Sequence, residues 1–210
     1  MVQEQAKDFL EARPWLSGIC DTQSIEELET KYDSWANTYD ADLKDDWSFM
    51  PVAIEKTIGK LLNNKNAAIL DAGAGTGLVG QALAKQGYTN LTAVDLSEKM
   101  LNIAKEKQVY HALYQGNLED NSVFNDSVNF DAVIAAGVFA YAHAGVEVLN
   151  NLFGLLKEEG IFLLTIREDY RREMQTTLGK LPWQLISEES FSIYDEAKLM
   201  YLLGFKKIDP

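Results

Sequence analysis

The chain has 210 residues, of which 47% are hydrophobic and 24% charged, and its formal net charge is −13. This composition is typical of one globular domain with a sizeable core, and the acidic balance argues against a nucleic-acid substrate, because binders of phosphate backbones present a basic face. The single cysteine, Cys20, excludes an internal disulfide and a thiolate zinc site. With no apolar run of about 20 residues and no basic-then-apolar leader, we expect a cytoplasmic protein without a membrane association.

Residues 1–65 have the pattern of helices. Ser24–Glu27 (SIEE) has the form of a capping box, which predicts a helix that begins there. Tyr32, Trp35 and Tyr39 then recur at helical spacing and are predicted to share one helix face. Two interpretations follow: a core stripe, which we favour for Trp35, or a lid over a bound ligand that one of the tyrosines contacts.

From residue 66 onward, short apolar strands alternate with amphipathic helices. This order predicts a parallel sheet with helices on both faces, in one domain that spans 66–210. For the last 40 residues the pattern fits either a terminal hairpin or a short helix followed by a strand. The predicted strands are 67–73, 91–96, 109–116, 130–139 and 161–168, and the predicted helices are 78–87, 97–107 and 145–160.

A glycine-rich turn follows the first of these strands. In ILDAGAGTGLVG, Gly73, Gly75 and Gly77 come shortly after Asp71. A dinucleotide fingerprint requires a third glycine at the place that Leu78 occupies, so the pattern is not that of a pyrophosphate site. A carboxylate at Asp71 would repel a pyrophosphate and favour a cationic ligand.

A second acid, Asp95, ends the next strand, 20 residues after Gly75. In doubly wound folds an acid at this place accepts hydrogen bonds from a ribose diol. The predicted ligand therefore has a ribose and a positive charge but no phosphate. S-adenosylmethionine meets all three conditions.

The same residues carry a family resemblance. ILDAGAGTGLVG followed by AVDLSEKML resembles the class I S-adenosylmethionine-dependent methyltransferases, over about residues 67–166. KYDSWANTYDADL, FDAVIAAGVFAYAHAG and GLLKEEGIFLLTIRE are similar to segments of the methyltransferase-like proteins named after the Williams–Beuren syndrome chromosome region. The resemblance implies an α/β, Rossmann-like fold with a mostly parallel seven-stranded sheet and an N-terminal helical lid over 1–65.

The resemblance also implies a set of cofactor-binding residues. Asp95 would hold the ribose hydroxyls with Leu96 against the adenine, and Ala136 and Gly137 would flank the transferable methyl group. The full implied set is Tyr32, Tyr39, Asp71, Gly73, Ala74, Gly75, Gly77, Asp95, Leu96, Asn117, Leu118, Ala136 and Gly137.

Methyl transfer from a sulfonium needs a general base only when the acceptor must lose a proton. His143 is a candidate to act as the base or to orient an acceptor, the alternative being a loop residue without a catalytic role. Tyr39 is a candidate whose hydroxyl reaches the acceptor or the cofactor carboxylate. Phe139 and Tyr141 are candidates to shape an apolar acceptor pocket. Arg167 is a candidate to hold an acceptor carboxylate, the alternative being an ordinary surface ion pair.

We therefore expect a methyltransferase, monomeric or homodimeric, that acts on the O, N or S atom of a small molecule. Three rival functions stay open: methylation of another protein, a non-catalytic cofactor-binding partner subunit, and an NAD-dependent reductase. The glycine pattern and Asp71 disfavour the reductase. No metal is expected.

Overall fold

A computed structural model describes residues 19, 22–124, 129–139, 144–193 and 195–208, which form a seven-stranded sheet with helices packed on both of its faces. The helices are α1 (Ile25–Trp35), α2 (Tyr39–Asp42), α3 (Lys44–Trp47), α4 (Phe49–Leu61), α5 (Leu78–Lys85), α6 (Glu98–Glu106), α7 (Val146–Gly154) and α8 (Glu168–Leu178). The strands are β1 (Ile69–Ala72), β2 (Leu91–Asp95), β3 (Ala112–Gln115), β4 (Phe130–Phe139), β5 (Leu156–Arg167), β6 (Trp183–Ile193) and β7 (Asp195–Lys207).

The strand order across the sheet is β3-β2-β1-β4-β5-β7-β6. Strands β1 to β5 pair in parallel, whereas β7 pairs antiparallel with both β5 and β6. The sheet is therefore mostly parallel, as predicted. The terminal hairpin, one of the two alternatives for the last 40 residues, is confirmed.

Strand order reverses beside β1. From β1 the chain moves outward through β2 to β3, and then returns to place β4 on the other side of β1. Crossovers that leave in opposite directions open a crevice at the carboxyl ends of the two central strands, and ligands of doubly wound folds bind there. In this chain the crevice lies between the ends of β1 and β4.

The core has one layer on each face of the sheet. Successive residues of β1 point to opposite faces, so Ile69 packs with Ile54 of α4 and Leu83 of α5, whereas Leu70 packs in the layer that contains Leu149 of α7. All five side chains are fully buried. None of the helices in the described ranges is long and apolar enough to cross a membrane.

Two predicted boundaries were wrong. The helix predicted to run to Gly160 ends at Gly154, and β5 begins at Leu156 because that residue pairs with Phe130 at the start of β4. The chain then turns at Glu159, which has a positive φ of 64°, before the regular pairing resumes at Ile161. Strand β3 is also shorter than predicted.

Candidate functional site

The glycine turn after β1 forms the floor of the crevice. Gly73, Gly75 and Gly77 have φ values of +69°, +54° and +85°, a region that residues with a side chain rarely adopt. The backbone N–H groups of Gly73 and Ala74 both donate to the Val94 carbonyl of β2, at 2.8 and 3.0 Å. The turn is therefore fixed to the neighbouring strand.

Gly73 and Gly75 have different surroundings. A Cβ added at Gly73 would lie 2.5 Å from Cγ2 of Val138, at the end of β4, so the absence of a side chain lets β4 approach the turn. A Cβ at Gly75 would lie 4.0 Å from the ring of Tyr39. Both glycines line the cavity described below.

Asp95 is placed for a diol. Its Oδ2 accepts from the Gly75 N–H at 2.7 Å and its Oδ1 accepts from the Ser97 N–H at 2.9 Å. Burial raises the pKa of Asp95, and these two amide hydrogen bonds oppose the rise. Since each carboxylate oxygen can accept a second hydrogen bond, the group still has two acceptor positions for hydroxyls.

A cavity lies over the carboxyl ends of β1, β2 and β4. It encloses about 820 Å³ of empty space, including the part that opens to solvent. Most of its lining is apolar, and Asp95 is its one charged side chain among the described residues. The lining residues are Ile25, Leu28, Tyr32, Tyr39, Gly73, Gly75, Asp95, Leu96, Met100, Gly116, Asn117, Leu118, Ala136, Gly137, Val138, Ala144 and Val148.

The end of β4 is shaped by a hydrogen bond that it donates to β5. Gly137 has a φ of +77°, and its N–H donates to the hydroxyl of buried Thr165 at 2.7 Å. The pairing of β4 with β5 is irregular between Ala135 and Phe139. This irregularity turns Ala136 and Gly137 onto the cavity wall.

The turn after β3 supplies the opposite wall. Asn117 Oδ1 accepts from the Glu119 N–H at 3.0 Å, and the carbonyls of Leu118 and Glu119 both accept from the side-chain amide of Asn151. The Gly116 N–H donates to the Asp95 carbonyl at 3.0 Å. The predicted positions Asn117 and Leu118 are therefore held by α7 and β2.

The N-terminal helices cover the cavity. Ile25, Leu28 and Tyr32 of α1 and Tyr39 of α2 all line it. Their arrangement differs from the predicted single helix face, because α1 ends at Trp35 and Tyr39 begins a separate helix.

The favoured core position of Trp35 was wrong. Trp35 is half-buried, and its indole N–H donates to Asp42 at 2.7 Å. The Trp35 ring still contacts the Tyr39 ring, with 4.5 Å between centroids.

Acidic side chains attach this cover to the sheet. Asp33 Oδ1 accepts from the Ser97 hydroxyl at 2.6 Å and from the Lys99 N–H at 3.3 Å, at the N-terminus of α6. Asp40 accepts from the Lys107 ammonium at 3.0 Å and from the Thr76 hydroxyl. Part of the acidic bias of the N-terminal region therefore fixes its position over the glycine turn.

Asp71 does not line the cavity. It is buried beneath the turn, where its Oδ2 accepts from the Tyr110 hydroxyl at 2.6 Å. Its Oδ1 accepts no hydrogen bond from the described part of the chain. Burial raises the pKa of Asp71 to about 7, the Asp95 charge adds to the rise and the Tyr110 hydrogen bond opposes it.

Other predicted positions lie away from the cavity wall or outside the described residues. Ala74 packs against Ala93 and Leu101, and Gly77 begins α5. Phe139 is fully buried in the core, so it does not shape an acceptor pocket. His143 and Tyr141 lie outside the described residues.

The arginine cluster after β5 is paired with acids. Arg167 pairs with Asp169, and Arg171 makes a bidentate pair with Glu188 at 2.8 and 2.9 Å. These contacts favour the ion-pair interpretation of Arg167 over a hold on an acceptor carboxylate. Exposed pairs of this kind contribute little to stability.

The sequence matches a family model described as a methyltransferase domain, over residues 70–164. That range holds the glycine turn, Asp95, the turn after β3 and the end of β4. The chain carries a class I methyltransferase domain. The cofactor of this class is S-adenosylmethionine, and the fold and cofactor class predicted from the sequence are confirmed.

Known proteins that are similar to the methyltransferase domain have different acceptors. The chain is 30% identical over 129 residues to the ubiquinone biosynthesis O-methyltransferase of Coxiella burnetii, covering 59% of this chain and 54% of that protein. It is 27% identical over 188 residues to human methyltransferase-like protein 27, covering 86% and 76%. It is 27% identical over 136 residues to the EEF1A lysine methyltransferase 2 of Danio rerio, covering 60% and 58%. The chain thus spans about half the length of the first of these relatives.

A solved structure repeats the fold over nearly the whole chain. The magnesium protoporphyrin IX methyltransferase of Synechocystis, solved with bound S-adenosylmethionine, superposes with a TM-score of 0.60 and 15% identity, covering 97% of this chain and 96% of that one. At this identity the likeness shows the fold alone.

The cavity fits the cofactor of this class. Gly73 and Gly75 present their backbone on the cavity wall, and Asp95 offers acceptors at the place where a ribose diol is expected. No lysine or arginine is among the lining residues described, so the wall holds no cation for a pyrophosphate.

The sequence did not indicate several lining residues. Val138, Ala144 and Val148 lie on the wall because the irregular end of β4 and the start of α7 bring them there. Ile25 and Leu28 follow the same helical pattern as Tyr32, and that periodicity was the available signal. Gly116 directly precedes the predicted pair Asn117 and Leu118.

Proposed function

We propose that this protein transfers the methyl group of S-adenosylmethionine to the O, N or S atom of a small molecule. The observation that carries the proposal is the covered cavity, in which Gly73, Gly75 and Asp95 face the rings of Tyr32 and Tyr39. A site walled on all of these sides excludes water and positions two reactants, which is most of what methyl transfer from a sulfonium requires.

In this proposal each wall holds one part of the cofactor. Asp95 accepts hydrogen bonds from the ribose hydroxyls, and Leu96 and Leu118 pack against the adenine beside Asn117. The open backbone at Gly73 and Gly75 faces the methionine portion. Ala74 and Gly77 act indirectly, because neither lines the cavity: Ala74 packs against Ala93 and Leu101, and Gly77 has the positive φ that precedes α5.

Ala136 and Gly137 flank the methyl group that is transferred. A Cβ at Gly137 would lie 3.9 Å from Cζ2 of Trp47, which packs against the core and does not line the cavity. The apolar lining near Gly137, from Val138, Ala144 and Val148, favours an acceptor with an apolar body.

The role of a general base depends on the acceptor. A hydroxyl acceptor must lose its proton, whereas a neutral amine or a thiolate attacks directly. Tyr39 lies on the cavity wall and is a candidate to orient the acceptor. His143 stays a candidate base, and retained turnover in His143→Ala would remove it from that role.

Methylation of another protein is the second candidate function, since one similar protein is named as a lysine methyltransferase. The covered cavity disfavours it, because a protein acceptor must reach the methyl group past α1 and α2. A non-catalytic cofactor-binding subunit would bind the cofactor and label nothing. An NAD-dependent reductase would bind NADH instead.

The deciding experiment uses S-adenosylmethionine with a tritiated methyl group and a cell extract separated into small-molecule and protein fractions. We expect label in the small-molecule fraction with the wild-type protein, and none with Asp95→Ala. Label in the protein fraction would contradict the proposed acceptor class. Absence of label from both fractions, with cofactor binding intact, would support the non-catalytic function.

A further inference from the structure

The side chain of Tyr110 fills the space behind the glycine turn. Tyr110 lies in the connection between α6 and β3, and its ring is partly buried against both the Val79–Leu83 side of α5 and the Ala93–Leu101 cluster. It does not line the cavity. Its role is therefore separate from direct contact with a ligand.

Two glycines make room for this ring. A Cβ added at Gly77 would lie 2.9 Å from Cε2 of Tyr110, and one added at Gly80 would lie 2.3 Å from both its Cζ and its hydroxyl oxygen. Distances this short do not occur between real side chains. The glycines at 77 and 80 thus admit Tyr110, whereas those at 73 and 75 face the ligand.

The Tyr110 hydroxyl contacts Asp71, the acid of the glycine motif that does not line the cavity. It donates to Asp71 Oδ2 at 2.6 Å, while Oδ1 of the same carboxylate accepts nothing from the described residues. Asp71 is only 2% exposed, and Tyr110 is the side-chain donor that, together with the Gly80 backbone N–H, opposes the effect of burial on its pKa. Burial and the Asp71 charge raise the pKa of Tyr110 well above its usual value, which keeps the hydroxyl protonated as the donor.

We propose that Tyr110 is a positioning residue for cofactor binding: its hydroxyl fixes the Asp71 carboxylate beneath the glycine turn, and its ring holds the start of α5 against β1. Asp71 is two residues before Gly73, so a rotation of its side chain disturbs the segment that faces the methionine portion of the cofactor. In its ionised form, the Asp71 carboxylate at this depth also favours a sulfonium over a neutral thioether. The proposal concerns the cofactor alone and holds whatever the acceptor is.

The test compares Tyr110→Phe with Tyr114→Phe by isothermal titration calorimetry. Both variants remove one tyrosine hydroxyl from neighbouring positions, and Tyr114 is an exposed residue of β3 outside the site. We expect Tyr110→Phe to weaken S-adenosylmethionine binding roughly tenfold, because a buried charged acceptor loses its donor. S-adenosylhomocysteine, which lacks the sulfonium charge, should lose less affinity. Tyr114→Phe should bind both ligands as the wild type does.

A double-mutant cycle separates positioning from general loss of structure. If Tyr110 acts through Asp71, then Tyr110→Phe should weaken binding less than about twofold when Asp71→Asn is already present. Equal affinity of Tyr110→Phe and wild type, or fold-losses that multiply in the double variant, would overturn the proposal.

The pH dependence gives a readout that a purely structural role would not move. The titratable groups that face Asp71 in the described chain are Tyr110 and Asp95. Loss of the Tyr110 hydrogen bond raises the pKa of Asp71 further. The pH midpoint of the change in S-adenosylmethionine affinity should therefore move to higher pH in Tyr110→Phe, and the change should disappear in Asp71→Asn. An unmoved midpoint would contradict the proposal.

If Tyr110→Phe does not fold, Gly80→Ala replaces it, since its methyl group displaces the Tyr110 ring, and the same tenfold loss is expected.

Discussion

The ends of β1 and β2 carry the same residue type in different roles. Asp71 and Asp95 each lie at or next to the end of a buried strand, and both were predicted to contact the ligand. Asp95 lies on the cavity wall with backbone N–H groups on both oxygens, whereas Asp71 lies beneath the turn with one tyrosine as its side-chain donor. Position in a motif therefore identifies the site but not the contact that each residue makes.

The difference has an electrostatic consequence. Burial raises the pKa of both carboxyls, but two amide hydrogen bonds favour the ionised form of Asp95. Asp71 has less support for its charge, and its pKa reaches about 7. The β2 carboxylate thus has two backbone donors that favour its ionised form, while the β1 carboxylate changes its charge near neutral pH.

The largest expected effect is at Asp95. Asp95→Ala should weaken S-adenosylhomocysteine binding roughly 100-fold, because a charged acceptor for the ribose diol is lost. Asp95→Asn, which keeps one acceptor oxygen, should lie between this variant and the wild type. Isothermal titration calorimetry measures all three.

Asp131→Ala is the matched control for Asp95. Asp131 also accepts a backbone N–H, from Ala68 at 2.8 Å, but at the amino end of β4 and far from the cavity. We expect a loss of stability without a loss of affinity. Similar affinities for Asp95→Ala and Asp131→Ala would show that the cavity holds no ribose at Asp95.

An intermediate effect is expected at Gly75, the amide partner of Asp95. Gly75→Ala and Gly87→Ala both place a side chain at positive φ, which costs about 1 kcal/mol of stability in each case. Gly87 has nothing within 4 Å of an added Cβ, whereas Gly75 faces Tyr39 across the cavity. Only Gly75→Ala should weaken cofactor binding, roughly tenfold by calorimetry. A comparable loss of affinity in Gly87→Ala would point to backbone strain as the cause.

The smallest expected effect is the pH dependence of stability at Asp71. The unfolded chain releases this proton near pH 4 and the folded chain near pH 7, so between these values the unfolded state binds fewer protons and stability falls as pH rises. The Tm of the wild type minus that of Asp71→Asn should therefore fall by several degrees up to pH 7 and stay level above it. Thermal unfolding between pH 5 and 8.5 measures this difference. A constant difference would mean that Asp71 is already ionised throughout that range.

The sequence predicted the parts of the fold and site that depend on local pattern. Strand β4 begins and ends at the predicted residues, and the spacing of Gly75 and Asp95 correctly placed both at the carboxyl ends of neighbouring strands. Both follow from periodicity and from the ordinary geometry of a strand, a turn and a helix. The apolar pattern also distinguished buried strands from amphipathic helices in the central sheet, except at 156–160, where β5 begins inside the predicted helix.

The parts that were not predicted depend on residues distant in the chain. The orientation of Asp71 is set by Tyr110, 39 positions later, and by the two glycines that admit its ring. The break between α1 and α2 accompanies hydrogen bonds from Thr38 and Trp35 to Asp42. No periodicity encodes such tertiary pairings.

The most direct test of the central claim is calorimetry of the wild-type protein with S-adenosylhomocysteine and with NADH in the same buffer. The covered cavity, its acceptor at Asp95 and its lack of a lining cation predict one bound S-adenosylhomocysteine per chain and no heat from NADH. Binding of NADH, or silence from S-adenosylhomocysteine in a folded sample, would contradict the assignment of this cavity to S-adenosylmethionine.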